Sequence, residues 1–227
     1  MPAPSALEAP TSLDALLEQL EHIRPVIESD RDAAEQQGRL TSEIIEALKQ
    51  AGFLRIYLPR HYGGLELDPP TFFRLTERLS RIDSAVGWQM GIYNQITHIS
   101  AARLSREVTD GLFLDDPNVL LCGSLNSVGK AIPEGDGYRF TSQAPFNSGC
   151  HFADYCLMQG QVQRELSPEG TPPELIALCC PIKDVEIVDN WDVVGMRGSG
   201  SNDVRVTRLY VPGEMCATWS PCATTPT

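Results

Sequence analysis

The 227-residue sequence predicts an α+β protein, with an all-α N-terminal domain followed by a small antiparallel β barrel or sandwich. Two observations carry that expectation. Up to Leu114 the apolar residues recur three or four apart, the spacing of a helix face. After Asp115-Asp116-Pro117 they fall instead in short runs separated by turn residues. The expected organisation is a disordered segment over 1–12, a helical domain over 13–117, a β domain over 118–213 and a polar tail over 214–227. No internal repeat, heptad array or low-complexity tract interrupts it.

The elements follow in order. Thr11-x-x-Asp14 resembles a capping box, opening a helix whose stripe is Leu13, Leu16, Leu17, Leu20 and Ile23. Pro25 should kink this helix or force a restart, because proline lacks the N–H that the ladder needs. A second helix runs from Thr41 to Gln50, with Ile44, Ile45 and Leu48 inward and Gly52 ending it. Pro59 and Gly63-Gly64 punctuate an irregular connection. Phe72, Phe73, Leu75, Leu79 and Ile82 mark the third helix. The fourth begins at Asp83-Ser84 and is almost without charge through "AVGWQMGIYNQITHIS", so it should be buried. A short helix covers Arg106 to Leu114. The expected strands are Val119–Ser124, Gly137–Ser142, Tyr155–Val162, Leu175–Pro181, Val185–Asn190 and Asp203–Val211. Glu134-Gly135-Asp136-Gly137 signals a hairpin, and "RELSPEGTPPE" a polar surface loop.

Composition excludes several classes of function. A formal net charge of −12 disfavours nucleic acid and anionic membranes as partners, since both need a basic face. No stretch approaches the length of a bilayer span, and the N-terminus has no signal-peptide pattern, so a cytoplasmic location is expected. Seven scattered cysteines without C-x-x-C, and four histidines without H-E-x-x-H, predict buried reduced thiols and no metal centre.

The stretch "WDVVGMRGSGSNDVRVTRLYVP" carries the densest chemistry. A dinucleotide loop would lead into a helix, a Walker loop would contain Gly-Lys-Ser/Thr, and a nucleophile elbow would need G-x-S-x-G at a strand-to-helix turn. Gly198-Ser199-Gly200-Ser201 meets none of these conditions, because the alternating residues after it read as a strand. On its residues alone it is a turn between strands.

Three motifs in order give a resemblance: "ALKQAGFLRIYLPRHYGGLELD", F-x-S-G-C-x-x-A-D at Phe146–Asp154, and W-x-x-x-G-M-R-G-S-G-S-x-D-V at Trp191–Val204. Over about residues 13–213 the chain resembles the N-terminal helical and middle β domains of acyl-CoA dehydrogenase-like flavoproteins. Within them it is most similar to the reduced-flavin-dependent monooxygenases, the oxygenase components of two-component aromatic, polyketide and sulfur-heterocycle hydroxylases. The acyl-CoA dehydrogenases themselves usually carry Thr-Glu-Pro followed by Gly-Ser-Asp, where this chain has Leu125-Asn126-Ser127-Val128-Gly129.

The resemblance implies reduced FMN or FAD as cofactor. It implies that Phe146-Asn147-Ser148 lies on a strand against the isoalloxazine, with Phe146 beside the ring and Ser148 hydrogen-bonded near N5. A hydroxyl is donor and acceptor at once, so it can hold the N5 proton whose loss wastes oxygen as peroxide. Leu125, Asn126 and Ser127 would present backbone groups to the pyrimidine edge. Trp191 and the Arg197 turn would lie near the flavin side chain. Arg197 would contact a phosphate or a carboxylate, or form a surface salt bridge, and Gly198 and Gly200 would allow positive φ. Trp88 and His98, on the fourth helix, are candidates to face the substrate. His98 falls off the expected spacing, which leaves a buried, hydrogen-bonded histidine as the other reading, and His151 is a further candidate.

Such an oxygenase would receive its flavin by diffusion from a reductase and act on a small molecule. A C-terminal four-helix bundle would complete the flavin site and build a homo-oligomer. The tail "CATWSPCATTPT" has no helical period, so the expectation is that the bundle is missing through truncation, a split gene or fragmentation, or is supplied by a partner. Without it, weak flavin binding and leaky peroxide production are expected. The alternatives are an FAD-dependent acyl-CoA dehydrogenase-like enzyme and an inactive remnant or interaction module.

Overall fold

The computed structural model describes residues 12–164 and 172–218, and for Asn126 the backbone only. Among the described residues, five α-helices precede one seven-stranded, mostly antiparallel sheet. Helix α1 spans Leu13–Gln37. Its N-cap is Ser12, whose Oγ accepts from the Ala15 N–H at 3.2 Å; Thr11 lies outside the described residues. Pro25 neither ends nor restarts this helix. It sits on the exposed face, where water can serve the freed carbonyl, and the buried stripe Leu16, Leu20, Ile23, Ile27 continues past it. Helix α2 spans Ser42–Gln50, capped by the Thr41 hydroxyl on the Ile44 N–H at 3.2 Å, and Gly52 beyond it takes the left-handed conformation.

Helices α3 (Pro69–Ile82), α4 (Ser84–Arg103) and α5 (Arg106–Phe113) follow. On α3, Phe72, Leu75, Leu79 and Ile82 are buried, whereas Phe73 points outward. Helix α4 seats the rest of the molecule. Its buried Asn94 donates from Nδ2 to the Phe53 carbonyl at 2.8 Å and accepts the Ile56 N–H at 2.6 Å, which pins the irregular 51–58 connection. One face of α4 is nevertheless open: Trp88 is 49% exposed. The nearly uncharged sequence, with polar residues spread around the helix, could not show which face that would be.

The strands are β1 (Leu121–Glu134), β2 (Gly137–Ala144), β3 (Tyr155–Val162), β4 (Leu175–Pro181), β5 (Glu186–Val188), β6 (Asp203–Pro212) and β7 (Cys216–Thr218), in the order β5-β6-β2-β1-β3-β4-β7. The expected loop over 164–174 lies mostly outside the described residues. The hairpin at 134–137 forms with Glu134 opposite Gly137, and Gly135 has φ +60°. Strand β1 extends ten residues past the expected end at Ser124 because Gly129 lets it press on its neighbour: a Cβ there would lie 2.5 Å from that of Ser142. Strands β1 and β3 pair in parallel, a departure from the antiparallel expectation. Where they pair first, over 121–124 and 156–158, both are buried on both faces, which erases the alternation there.

One face of the sheet encloses a core of Phe140, Met158, Leu178 and Val204. The other places Leu121, Leu157, Ala177 and Cys179 against Ile96, Leu112 and Phe113 of α4 and α5. This second apolar layer joins the helical and β parts. Five described cysteines are buried in these layers, and burial pushes the Cys179 thiol up to about 12.

Candidate functional site

Two irregular segments meet over α4. Residues 145–154, after β2, form turns rather than the strand expected for Phe146-Asn147-Ser148. The Asn147 Nδ2 donates to the Ala144 carbonyl at 2.8 Å and so satisfies locally an acceptor that a continuing strand would have paired. The second segment is the glycine-rich stretch, whose residues Arg197–Ser199 make one 3₁₀ turn. Positive φ falls on Met196 (+57°) and Gly200 (+52°), not on Gly198. Gly198 is buried, and a Cβ there would make only ordinary contact with Ala85, at 3.4 Å, so neither φ nor space demands glycine at this position.

The two segments zip together. The Asn147 N–H donates to the Asn202 carbonyl at 2.9 Å, and the Gly149 N–H to the Ser199 carbonyl at 3.2 Å. Helix α4 fastens both. Gln89 Nε2 donates to the Ser199 carbonyl at 2.7 Å, and the buried Tyr93 hydroxyl to the Gly149 carbonyl at 2.7 Å. Burial raises the pKa of Tyr93 far above the usual phenol value, so the hydroxyl stays a donor.

This seam forms the floor of an apolar groove of about 500 Å³, within the range of small-molecule sites. Trp88, Ile92, Ile96 and Ile99 of α4 make one wall. Gly123, Ser124 and Leu125 of β1 make another, and Phe146, Trp191 and Met196 the rim. The Phe146 and Trp191 rings meet edge to face, with centroids 6.2 Å apart. Phe146 is 59% exposed and has φ +60°, a conformation that costs a bulky residue free energy.

At the floor lies Ser148, 3% exposed. Its Oγ accepts the Trp88 indole N–H at 2.8 Å and lies 2.7 Å from Ser201 Oγ, which lies 2.7 Å from Ser199 Oγ. Ser124 Oγ, also on the groove, is buried with no hydrogen-bond partner among the described residues. A buried hydroxyl is costly to leave unpaired, and a groove ligand with a hydrogen-bonding group would supply the partner.

Of the candidates from the sequence, Trp88, Leu125, Phe146, Ser148 and Trp191 converge on this groove. Leu125, Asn126 and Ser127 form a bulge: the β1–β3 register passes from Ser124–Met158 to Val128–Gln159, so these three have no partners on β3. The Ser127 hydroxyl is engaged on the Gln143 carbonyl at 3.0 Å.

Arg197 and His98 do not line the groove. Arg197 is held by the Glu35 carbonyl at 3.1 Å, the Asp192 carboxylate at 3.0 Å and the Val193 carbonyl at 3.2 Å, and it faces a separate polar cleft. His98 is exposed with its ring against Tyr57, centroids 5.8 Å apart, which corrects the expectation of a buried histidine. The reason is helical phase: Trp88, Ile92, Gln95 and Ile99 share a stripe, and His98 lies about 80° around the helix from Trp88. His151 faces the polar cleft, with Nε2 2.9 Å from Asn202 Oδ1. Sequence reasoning missed Gln89, Tyr93, Ser124, Ser199 and Ser201. Polar residues four apart on an apolar helix, Gln89 and Tyr93, were the available signal.

The fold and groove define a class, the acyl-CoA dehydrogenase-like proteins. Residues 20–106 match the acyl-CoA dehydrogenase N-terminal domain, and the chain has the acyl-CoA dehydrogenase-like fold. Within it, the chain is similar to the flavin-dependent monooxygenase oxygenase subunit HsaA of Mycobacterium tuberculosis, at 30% identity over 201 residues, which are 87% of this chain and 49% of that protein. It is 27% identical to the oxygenase component of p-hydroxyphenylacetate 3-hydroxylase of Acinetobacter baumannii, over 87% of this chain and 46% of that one. The structure superposes on XiaF from Streptomyces sp., solved in complex with FADH2 and glycerol, with a TM-score of 0.84 and 25% identity over 91% of this chain and 51% of that one. The chain thus spans about half the length of the curated relatives it matches. No helix of the described residues is long and apolar enough to cross a membrane.

Proposed function

We propose that this chain forms the flavin-facing wall of an oxygenase component in a two-component monooxygenase, which uses reduced flavin and O2 to hydroxylate an aromatic, polyketide or heteroatom-bearing small molecule. One observation carries this reading: a buried serine hydroxyl, Ser148, is clamped by an indole N–H at the floor of an apolar groove with aromatic rims. The named relatives are oxygenase components of such systems, and XiaF was solved with FADH2, which supports reduced flavin as the ligand. A reductase that delivers the flavin by diffusion is the partner this implies.

When bound, reduced flavin supplies electrons for the activation of O2. The residues of this chain do the rest. Ser148 holds the proton at N5, and the Trp88 N–H keeps its oxygen oriented. Phe146 and Trp191 cover the ring edge, while Ile92, Ile96 and Ile99 exclude water from it. Backbone groups of the 125–127 bulge would hold the polar edge of the flavin, and Ser124 Oγ would gain its missing partner. Arg197 holds the turn to α1, so it positions the floor from outside the groove.

Anaerobic titration of the chain with reduced FMN and FADH2, followed by flavin fluorescence, tests this. Saturable binding that Ser148→Ala weakens is expected. Absence of any saturable binding by either flavin, also in the presence of the half of an HsaA-like oxygenase that this chain does not match, would overturn the proposal.

A further inference from the structure

The serine at the groove floor is one end of a chain of three hydroxyls, Ser148, Ser201 and Ser199, each link 2.7 Å long and all three residues buried. Trp88 sits beyond Ser148, and its Nε1 can only donate, so one lone pair of Ser148 Oγ is permanently taken. Three hydroxyl hydrogens serve two links, so one hydrogen is always left over. If the links run from Ser148 to Ser201 to Ser199, the spare hydrogen is at Ser199 and Ser148 keeps one lone pair for the groove. If they run the other way, Ser148 accepts from both Trp88 and Ser201, and its own hydrogen is left to point into the groove.

We propose that Ser199 and Ser201 are positioning residues which, by reversing together, switch Ser148 between hydrogen-bond acceptor and donor toward a groove nitrogen that alternates between N–H and bare N. This rests on the flavin reading, in which the nitrogen is N5, protonated in the reduced ring and bare in the oxidised one. No bond beyond hydrogen bonds forms or breaks; three hydroxyls rotate. Without Ser201 the loss is unequal. A reduced ligand donates to Ser148 and strands the hydrogen of Ser148, a buried donor without a partner, whereas an oxidised ligand still receives that hydrogen and leaves only a lone pair unfilled.

The test uses the full chain and two readouts. Without any flavin, the Trp88 indole N–H, assigned by Trp88→Phe, should shift in the NMR spectrum and exchange faster with water in Ser201→Ala, and return to its place in Ser201→Thr. An unchanged indole proton in a folded Ser201→Ala protein would overturn the relay. Anaerobic titrations with oxidised and reduced FMN then read the switch. Ser201→Ala should weaken reduced FMN about tenfold and oxidised FMN markedly less, with Ser199→Ala shifting the ratio the same way by a smaller factor. Equal losses for both forms would reduce Ser201 to a packing residue and overturn the switch. If the wild-type chain binds neither form, also with the remaining half of an HsaA-like oxygenase added, the flavin reading fails and takes the switch with it, while the indole readout still decides the hydroxyl chain.

Discussion

The segment 191–202 has two faces of opposite character. On one side Trp191, Met196, Ser199 and Ser201 border the apolar groove; on the other Asp192, Arg197 and Asn202 border a polar cleft shared with Gln36–Arg39 and His151. The cleft satisfies itself: Arg197 has three acceptors, Asn202 pairs with His151 and with the Val188 carbonyl at 3.0 Å. The groove does not. It keeps an unpaired Ser124 hydroxyl, an exposed Phe146 in a strained backbone conformation and a spare hydroxyl hydrogen. The groove face thus keeps hydrogen-bonding capacity and a strained rim residue that a ligand could use, and the self-satisfied face supplies the rigidity.

The largest effect should come from breaking the seam under both faces. Gly149 has φ +78°, and a Cβ there would lie 2.4 Å from Tyr93 Oη, so Gly149→Ala should cost about 3 kcal/mol or more in a chemical denaturation experiment. On the groove side, Ser148→Ala strands the Trp88 N–H and removes the proposed N5 partner. Reduced-flavin affinity should fall about tenfold, measured anaerobically, with a thermal midpoint only slightly lowered. On the cleft side, Gly200→Ala introduces a side chain at φ +52° and should cost about 1–2 kcal/mol of stability.

Phe146→Gly sharpens the contrast further. It relieves the positive φ and should leave stability unchanged or raised by up to about 1 kcal/mol, while flavin retention falls as the rim is lost. A clear loss of stability there would mean that the ring holds the fold and not a ligand. Smallest of all is Asp192→Ala. Its side chain is 97% exposed, so removing its ion pair with Arg197 should leave both the melting temperature and flavin affinity unmoved.

Helical spacing alone placed α2 and α5 within a residue and marked α3 by its stripe, since an amphipathic stripe and a capping hydroxyl are written locally. The turn at Gly135 was legible for the same reason: two residues and one positive φ decide it. Family motifs named Ser148, Phe146 and Trp191, and those residues share a groove. Ser199 and Ser201 stood in the same quoted stretch, but nothing local says that they join Ser148, which lies about fifty residues earlier.

What the sequence determined by itself is therefore the order of helices and strands, the turn chemistry and the motifs of the superfamily, all of which depend on neighbours a few positions away. Only the tertiary structure decided that β1 and β3 run parallel, that His98 faces away while Trp88 faces the groove, and that three serines form one chain. Each of these depends on how α4, the 145–154 turns and the glycine-rich segment dock on one another. A hydroxyl's partner across such a contact is set by packing in three dimensions, which spacing along the chain does not encode.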